Sequence, residues 1–426
     1  MKKNLAEWLS WQETLHLSEI DLGLDRIRVV AEALDLLSPT FPIITVAGTN
    51  GKGSSVAMLD AILHAQGYKT GNYTSPHLVH YNERIKLGGL NVSDQKIVSA
   101  FEKIDKARGK TSLTYFEFST LAAMLIFNDE KVDVAILEVG LGGRLDAANL
   151  WDAGLAIISS IDVDHVAWLG DDREKIAVEK AGIMRKNTPV ISGEPNPPST
   201  IASEAQRIGA QLSQINSDFF YESSDQNSWL WKSKDKQLEL PFPALKGEFQ
   251  LSNASTVIAG LLAIESRLPV SDNAIKSGLE NASAEGRLQL ISKEPEWLID
   301  VAHNPHAAKE LAKYLHENPV TGKTYALFSM LRDKDIKAVV SIMQDAIDEW
   351  HIVGLGGSRG INLNELKQEI TQQSSVTNNH TKIIEHQSID DACVSLKNIS
   401  KSKDRVVAFG SFLVVSDVIE IFAQKS

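Results

Sequence analysis

The chain has 426 residues, with 43 Lys plus Arg against 55 Asp plus Glu and a formal net charge of -12, which excludes a chain-wide basic footprint for nucleic acid or an anionic membrane. Hydrophobic residues at 43% and charged residues at 23% exclude a largely disordered chain. The single cysteine, Cys393, excludes an intramolecular disulfide and a cysteine-built zinc or iron-sulfur site and fits a reducing cytoplasm.

The N-terminal stretch is interrupted by Glu7, Gln12 and Glu13, so it lacks the apolar centre of an export signal. From residue 43 onward, short β-branched runs alternate with helical stretches. IITVAG is followed by a helix over Ser54–Gln66 that stops at Gly67; then come VDVAILEVG, GLAIISSID, a helix over Arg173–Ile183, and TPVISG. This alternation predicts a buried parallel sheet. Residues 218–245 change to short polar-aromatic pieces such as SWLWKS and QLELPF, which predict an antiparallel hairpin excursion. Helices resume over Phe249–Ser266 and Asp272–Ala282.

After the small, polar segment NASAEGRLQL a second alternating series begins: EWLIDVAHN, TYALFSM, WHIVGL, TKIIEH and RVVAFGS. A boundary near Glu285 therefore divides residues 1–285 from residues 286–426, the latter long enough for an α/β core of its own. The polar cluster Thr371–Thr381 is expected to be a loop. The tract Val406–Phe422 is broken by Gly410, Ser411, Ser416, Asp417 and Glu420, too often for a membrane span of about 20 residues.

The strongest local signal is a strand, then Gly48-Thr49-Asn50-Gly51-Lys52-Gly53-Ser54, then a helix. Exposed amides at a helix start, with glycines permitting close approach, make an anion cradle, and Lys52 can reach terminal phosphates of ATP or GTP. The spacing departs from the usual phosphate loop: Val46 stands where the first glycine would be, and Gly53 separates Lys52 from Ser54. A plain glycine-rich strand-helix turn is the alternative. The clusters Gly140–Gly143 and Gly354–Gly357 also follow strands but lack the dinucleotide spacing, and read as tight exit loops.

Glu138 ends a strand at the sheet edge where nucleotide metals collect, where a carboxylate can hold Mg²⁺ or else pair with Arg144. Asp162, Asp164 and His165 follow the next strand in the same position; each alone is more often a loop cap than a metal ligand. An imidazole ligand would be unusual for Mg²⁺ and keeps Mn²⁺ open. By spacing alone, Lys180 reads as a solvated lysine paired along its helix, and Phe116 and Phe118 as core residues.

Taken in order, AGTNGKGS, NYTSPHLVHYNERI, LTYFEF, LEVGLGGRLDAAN, SSIDVDHVAWLG, REKIAVEKAGI, GEFQLSN, Gly286-Arg287 and IDVAHNPHA resemble the folylpolyglutamate synthase and dihydrofolate synthase family of Mur-type amide ligases. The blocks run from about Ile20 to Ser411. The resemblance implies an α/β fold: an N-terminal phosphate-loop domain with a mainly parallel sheet, binding ATP and pterin, and a smaller Rossmann-like glutamate-ligase domain. It implies ATP-dependent joining of L-glutamate to dihydropteroate and to the glutamate tails of reduced folates, through an acyl phosphate. A folylpolyglutamate synthase without the first activity, and a non-catalytic nucleotide switch, are the alternatives.

Carried over by motif, Gly48 to Ser54, Asn253, Arg287 and Asp300 would contact ATP, and Ser75, Glu138 and His165 would hold Mg²⁺. Lys180 would be carbamylated, His303 would line the catalytic site, and Ser411 would bind glutamate. Leu22, Gly23, Leu24, Asp25, Thr114, Phe116 and Asp146 would form the pterin side, where an aromatic face stacks on a flat ring and a carboxylate accepts from its amino edge. The spread of ATP contacts over both halves implies closure of the two domains. The resemblance further implies K⁺ activation, a monomer, and small-molecule partners with neither nucleic acid nor membrane.

Overall fold

Apolar runs without a polar face must be covered on both sides, and here they form the middle of a sheet. The computed structural model describes residues 3–16, 18, 20–223, 228–357, 359–376 and 382–424. In chain order the strands of the first sheet are β1 (Ile43–Ala47), β2 (Thr70–Tyr73), β3 (Ile85–Leu87), β4 (Leu90–Asn91), β5 (Val134–Glu138), β6 (Leu155–Ile158), β7 (Pro189–Ser192) and β8 (Gln211–Gln214). Their order across the sheet is β4-β3-β2-β5-β1-β6-β7-β8. The six strands from β2 to β8 in that order run parallel, and β3 and β4 extend the sheet antiparallel beyond β2. β1, β5 and β6 are buried at every position.

One core cluster gathers Trp8, Phe101, Phe118 and Phe127, and a second gathers Ala47, Ile158, Ile176 and Ile201. The expected excursion becomes a three-stranded antiparallel sheet of β9 (Phe219–Ser223), β10 (Ser228–Ser233) and β11 (Gln237–Pro241). Trp229 and Trp231 alternate inward along β10, and the indole of Trp231 donates to the Ser255 carbonyl at 3.1 Å.

The chain divides into two compact units: Met1–Ala244 with Gln250–Ser283, and Leu245–Phe249 with Ala284–Ser426. The second unit holds β12 (Gln289–Lys293), β13 (Glu296–Ile299), β14 (Thr324–Phe328), β15 (Glu349–Val353), β16 (Lys382–His386) and β17 (Arg405–Phe409), ordered β12-β13-β17-β14-β15-β16. Only β12 pairs antiparallel, at the edge, with a half-exposed pattern that the sequence did not mark as a strand. Its core packs Phe328, Trp350 and Phe409. This is the mixed α/β architecture, with a mainly parallel sheet followed by a smaller α/β unit, that the sequence implies.

One loop expectation is corrected. The helix Leu363–Val376 runs through residues 371–376, anchored by fully buried Leu366 and Ile370, with the Thr371 hydroxyl bonded back to the Lys367 carbonyl at 2.8 Å. A polar solvent face hid its period; residues 377–381 lie outside the described residues. Among the described residues no helix is long and apolar enough to cross a membrane.

Candidate active site

The parallel register sets the C-terminal ends of β2, β5, β1 and β6 along one edge: Tyr73 lies beside Leu137, Val46 beside Glu138, and Ala47 beside Ile158. Loops leaving adjacent strands at this edge are where an open α/β sheet binds ligands. The loop after β1 and the loop after β6 are stitched together. The Thr49 amide donates to the Ser160 carbonyl at 2.8 Å, the Asn50 amide to Ser160 Oγ at 3.0 Å, and the Thr49 hydroxyl both donates to the Asp162 carbonyl and accepts the Asp162 amide.

Gly51, at φ 83°, turns this loop into the helix Lys52–Gln66; a side chain there would meet Asn253 Oδ1 at 2.5 Å. The first backbone bond of the helix is Ser55 N–H to the Gly51 carbonyl, so the amides of Lys52, Gly53 and Ser54 precede the ladder and face out of its positive end. Lys52 Nζ arches over the turn, donating to the carbonyls of Gly48 at 3.0 Å and Thr49 at 3.1 Å. The Ser54 hydroxyl accepts from Gln250 Nε2 at 3.2 Å, and Asn253 donates to Gln250 Oε1 at 2.9 Å, so the helix Phe249–Ala263 backs the loop.

Beside the cradle lies a buried set of titratable groups. Lys180 is 3% exposed on the helix Arg173–Ala181, not the solvated lysine its spacing suggested. Burial first, and then the charge of Lys52, push its ammonium down to about 7, with Asp164 and Asp146 opposing. Its direction is fixed by the loop after β5. The Arg144 amide donates to the Glu179 carbonyl at 2.8 Å, and a side chain on Gly143 would sit 2.6 Å from that same carbonyl. Arg144 pairs with Glu179 at 2.8 Å, so the alternative pairing with Glu138 is not the one formed.

Asp146 is 2% exposed and accepts the amides of Leu141 at 2.8 Å and Ala148 at 2.9 Å. Burial raises its carboxyl to about 7 against those hydrogen bonds. Glu138 is equally buried, and its Oε2 accepts the Ser75 amide at 3.4 Å. Ser75, in the loop leaving β2, thus stands beside Glu138 at the end of neighbouring β5. His165 follows β6 at φ 53°, with Nε2 3.9 Å from Asp164. Among the described residues no three His, Cys, Asp or Glu side chains converge as a metal cluster.

Around this edge, Thr114 caps the helix Tyr115–Glu130 in a reciprocal capping box with Glu117. Phe116, the second residue of that helix, is half-buried, 5.7 Å from Tyr73 and against Gly140, whereas Phe118 is fully buried core. The segment Leu22–Asp25 reaches the same loop: the Gly23 amide donates to the Leu145 carbonyl at 3.2 Å, Leu24 packs against the core, and Asp25 opens the next helix.

Within the second unit, Asp300 accepts the amides of Leu288 at 2.8 Å and Ala302 at 2.7 Å, the geometry of a strand-end cap. Burial raises its pKa, and the charges of Arg287 and His303 lower it. His303 Nδ1 lies 2.8 Å from the Val301 carbonyl, and the ring lies 5.7 Å from Phe412. Ser411 is buried and caps the helix Phe412–Ala423, accepting the Leu413 amide at 3.2 Å.

The two recognised domain families cover most of the chain: the Mur ligase middle domain matches residues 46–261, and the Mur ligase glutamate ligase domain matches residues 286–412. A relative from Escherichia coli strain K12, named dihydrofolate synthase/folylpolyglutamate synthase, is 42% identical, covering 98% of this chain and 95% of that one. The chain belongs to the dihydrofolate synthase/folylpolyglutamate synthase family of Mur ligases. Among solved structures, E. coli FolC in complex with DHPP and ADP superposes with TM-score 0.93 at 41% identity, covering 100% of this chain and 99% of that chain. The Yersinia pestis bifunctional folylpolyglutamate synthase/dihydrofolate synthase complexed with AMPPNP and Mn ion gives 0.91 at 42%, covering 99% and 98%.

For a chain of this family, the sequence reading missed a polar brace behind the Leu22–Asp25 segment. Arg26 pairs with Asp21 at 2.7 Å and Glu117 at 3.2 Å, while His16 bridges Asp21 and Ser112 at 3.0 Å each. Its members are scattered over 100 residues, and only the charge run from Asp21 to Arg26 hinted at it. The oxygen donors of Glu138 and Ser75 fit a hard divalent cation.

Proposed function

We propose that this chain joins L-glutamate to dihydropteroate, forming dihydrofolate, and extends the glutamate tails of tetrahydrofolates. The observation that carries this reading is the helix N-terminus at Lys52–Ser54 opening beside buried Glu138, Asp146 and Lys180. A donor set for phosphates meets acids and a low-pKa amine on one sheet edge.

A carboxylate is a poor acyl donor. An oxygen of the folate carboxylate attacks the γ-phosphorus of ATP, the bond to the β-phosphate oxygen breaks with its electrons, and ADP leaves. The glutamate amine then attacks the acyl carbon of the acyl phosphate, phosphate departs, and the amine gives up a proton as the amide forms. Such chemistry demands positioning and charge neutralisation. In this reading the amides of Gly51 to Ser54 and the Lys52 ammonium hold the β- and γ-phosphates, with Gly48, Thr49 and Asn50 shaping the loop. Asn253, Arg287 and Asp300 would be the remaining nucleotide contacts.

Ser75, Glu138 and His165 would hold Mg²⁺, or Mn²⁺, which supplies charge neutralisation at the phosphates when bound. A lysine near pKa 7 has a substantial neutral fraction and can add to CO₂, so we assign Lys180 as the carbamylated residue. Asp146 and Phe116 would receive the pterin, with Leu22 to Asp25 and Thr114 beside them; His303 would line the catalytic site and Ser411 would bind glutamate. K⁺ activation, a monomeric state, a cytoplasmic location, and a division of labour between residues 1–285 and 286–426 belong to the same reading.

The test is ADP release with ATP, Mg²⁺ and L-glutamate, comparing dihydropteroate with tetrahydrofolate and weighing each product by mass spectrometry. Turnover of both is expected. Turnover of tetrahydrofolate alone would reduce the activity to polyglutamate extension, and turnover of neither by folded, ATP-binding protein would overturn the proposal.

A further inference from the structure

A cavity of about 840 Å³ opens at the other edge of the first sheet, among residues at the N-terminal ends of its strands: Ile43 begins β1, Gly154 precedes β6, and Pro189 begins β7. Strands of four or five residues separate it by roughly 15 Å from the edge carrying Lys52. Its size is that of a small-molecule site.

The lining carries three guanidinium groups, Arg28, Arg185 and Arg267, with Asp152 its one carboxylate; Phe41 and Trp151 behind them are buried in the core, the Trp151 indole donating to the Leu36 carbonyl at 2.6 Å. In a chain of net charge -12, that is a local excess of two positive charges.

The three arginines differ in what they do. Arg185 is bound into the fold, pairing with Asp152 and donating to the carbonyls of Gly182 at 3.0 Å, Met184 at 3.1 Å and Asn149 at 3.2 Å. Arg28 and Arg267 make no side-chain hydrogen bond or ion pair among the described residues. Arg267 nevertheless lies over the sheet edge: a side chain on Gly154 would meet its Nη1 at 3.0 Å. Guanidinium groups recognise carboxylate and phosphate through paired N–H donors.

We propose that this cavity binds a small organic polyanion carrying at least two carboxylate, phosphate or sulfonate groups, and that its occupancy reaches the loop before Asp146 through Asn149. The link is physical. Arg185 Nη2 donates to Asn149 Oδ1 at 3.0 Å, and Asn149 Nδ2 donates to the carbonyls of Arg144 at 3.1 Å and Gly182 at 3.0 Å. Asn149 therefore clasps the loop before Asp146 to the turn just after Lys180. A ligand drawing on Arg185 loads that clasp.

The probe is naphthalene-1,3,6-trisulfonate, titrated calorimetrically into the full chain with and without saturating ADP. Tricarballylate and orthophosphate serve as further probes that separate carboxylate from phosphate preference. R28A/R267A removes the two unengaged guanidinium groups on exposed positions, and unchanged thermal unfolding confirms its fold. Expected are trisulfonate binding that survives ADP and a loss of about a hundredfold in the double variant, since each of the two charge-assisted pairs is worth about 1.5 kcal/mol, about tenfold. Equal affinity in the double variant, or displacement by ADP, overturns the site.

The kinetic arm rests on the ligase reading, and absence of turnover without the probe would show that reading to be at fault. With turnover established, the probe is expected to change the rate of ADP release about twofold or more in the wild type and not in the double variant. An unchanged rate at saturating probe overturns the link through Asn149.

Discussion

Replacing Lys180 by methionine should stabilise the protein while abolishing turnover. The ammonium falls from an ordinary value of 10.5 to about 7 because burial, and then Lys52, disfavour its charge. At about 1.4 kcal/mol per pH unit this corresponds to about 5 kcal/mol against keeping it charged in the fold. Methionine has similar volume and no charge to desolvate. That value already nets the attraction of Asp164 and Asp146, so at pH 7, where the folded amine is about half neutral, the expected gain is of the same order, about 4–5 kcal/mol.

The sign with pH is fixed by linkage. Between about pH 7 and 10.5 the unfolded lysine holds a proton that the folded one has shed, so wild-type stability rises with pH across that window. Lys180→Met removes this dependence. Its advantage should be greatest at pH 7 and below and should vanish towards pH 10.5. Urea unfolding in CO₂-depleted buffer at several pH values measures the gap. A variant less stable than wild type at pH 7, or a gap that stays constant to pH 10, would refute the assignment of Lys180 as a buried, strained amine.

Gly143→Ala should cost about 2 kcal/mol or more by urea unfolding and lower turnover, because its Cβ would lie 2.6 Å from the Glu179 carbonyl; Gly356→Ala, which meets nothing within 4 Å, should leave both within about 0.5 kcal/mol of wild type. Asp146→Asn should raise KM for dihydropteroate about tenfold with a smaller change in kcat and in KM for ATP; a selective rise in KM for ATP would move Asp146 out of the pterin side. His351, stacked on His386, is held to about 4 by burial and by the charge of its neighbour. The unfolded imidazole binds its proton first as pH falls from 6.5 to about 4, so stability should drop by about 3 kcal/mol in that window, and His351→Gln should flatten the drop in thermal denaturation. Lys52→Met should weaken ATP binding about a hundredfold by calorimetry while thermal stability without nucleotide changes little.

The alternating strands and helices were legible because burial on two faces forces continuous apolar runs, as in β1, β5 and β6. The glycine-rich turn from β1 into the helix Lys52–Gln66 was legible because its glycines and lysine are contiguous in the chain. Features made of half-polar surface were not: the helix Leu363–Val376 shows the sequence a polar face, with Leu366 and Ile370 the deep anchors among its described side chains, and the edge strand Gln289–Lys293 has a polar side that needs no apolar partner.

Lys180 separates the two sources of information most sharply. Its motif could be matched in the sequence, but spacing alone made it a solvated helix lysine. Only the approach of Gly143 to the Glu179 carbonyl, with Arg144 turned outward to Glu179, places that amine inside beside Lys52 and Asp146. Order along the chain determined the elements and the glycine-rich turn at Gly48–Ser54, since both rest on neighbouring residues. Tertiary packing decided which charges are buried together, because desolvation depends on what surrounds a group in space and not on what flanks it in sequence.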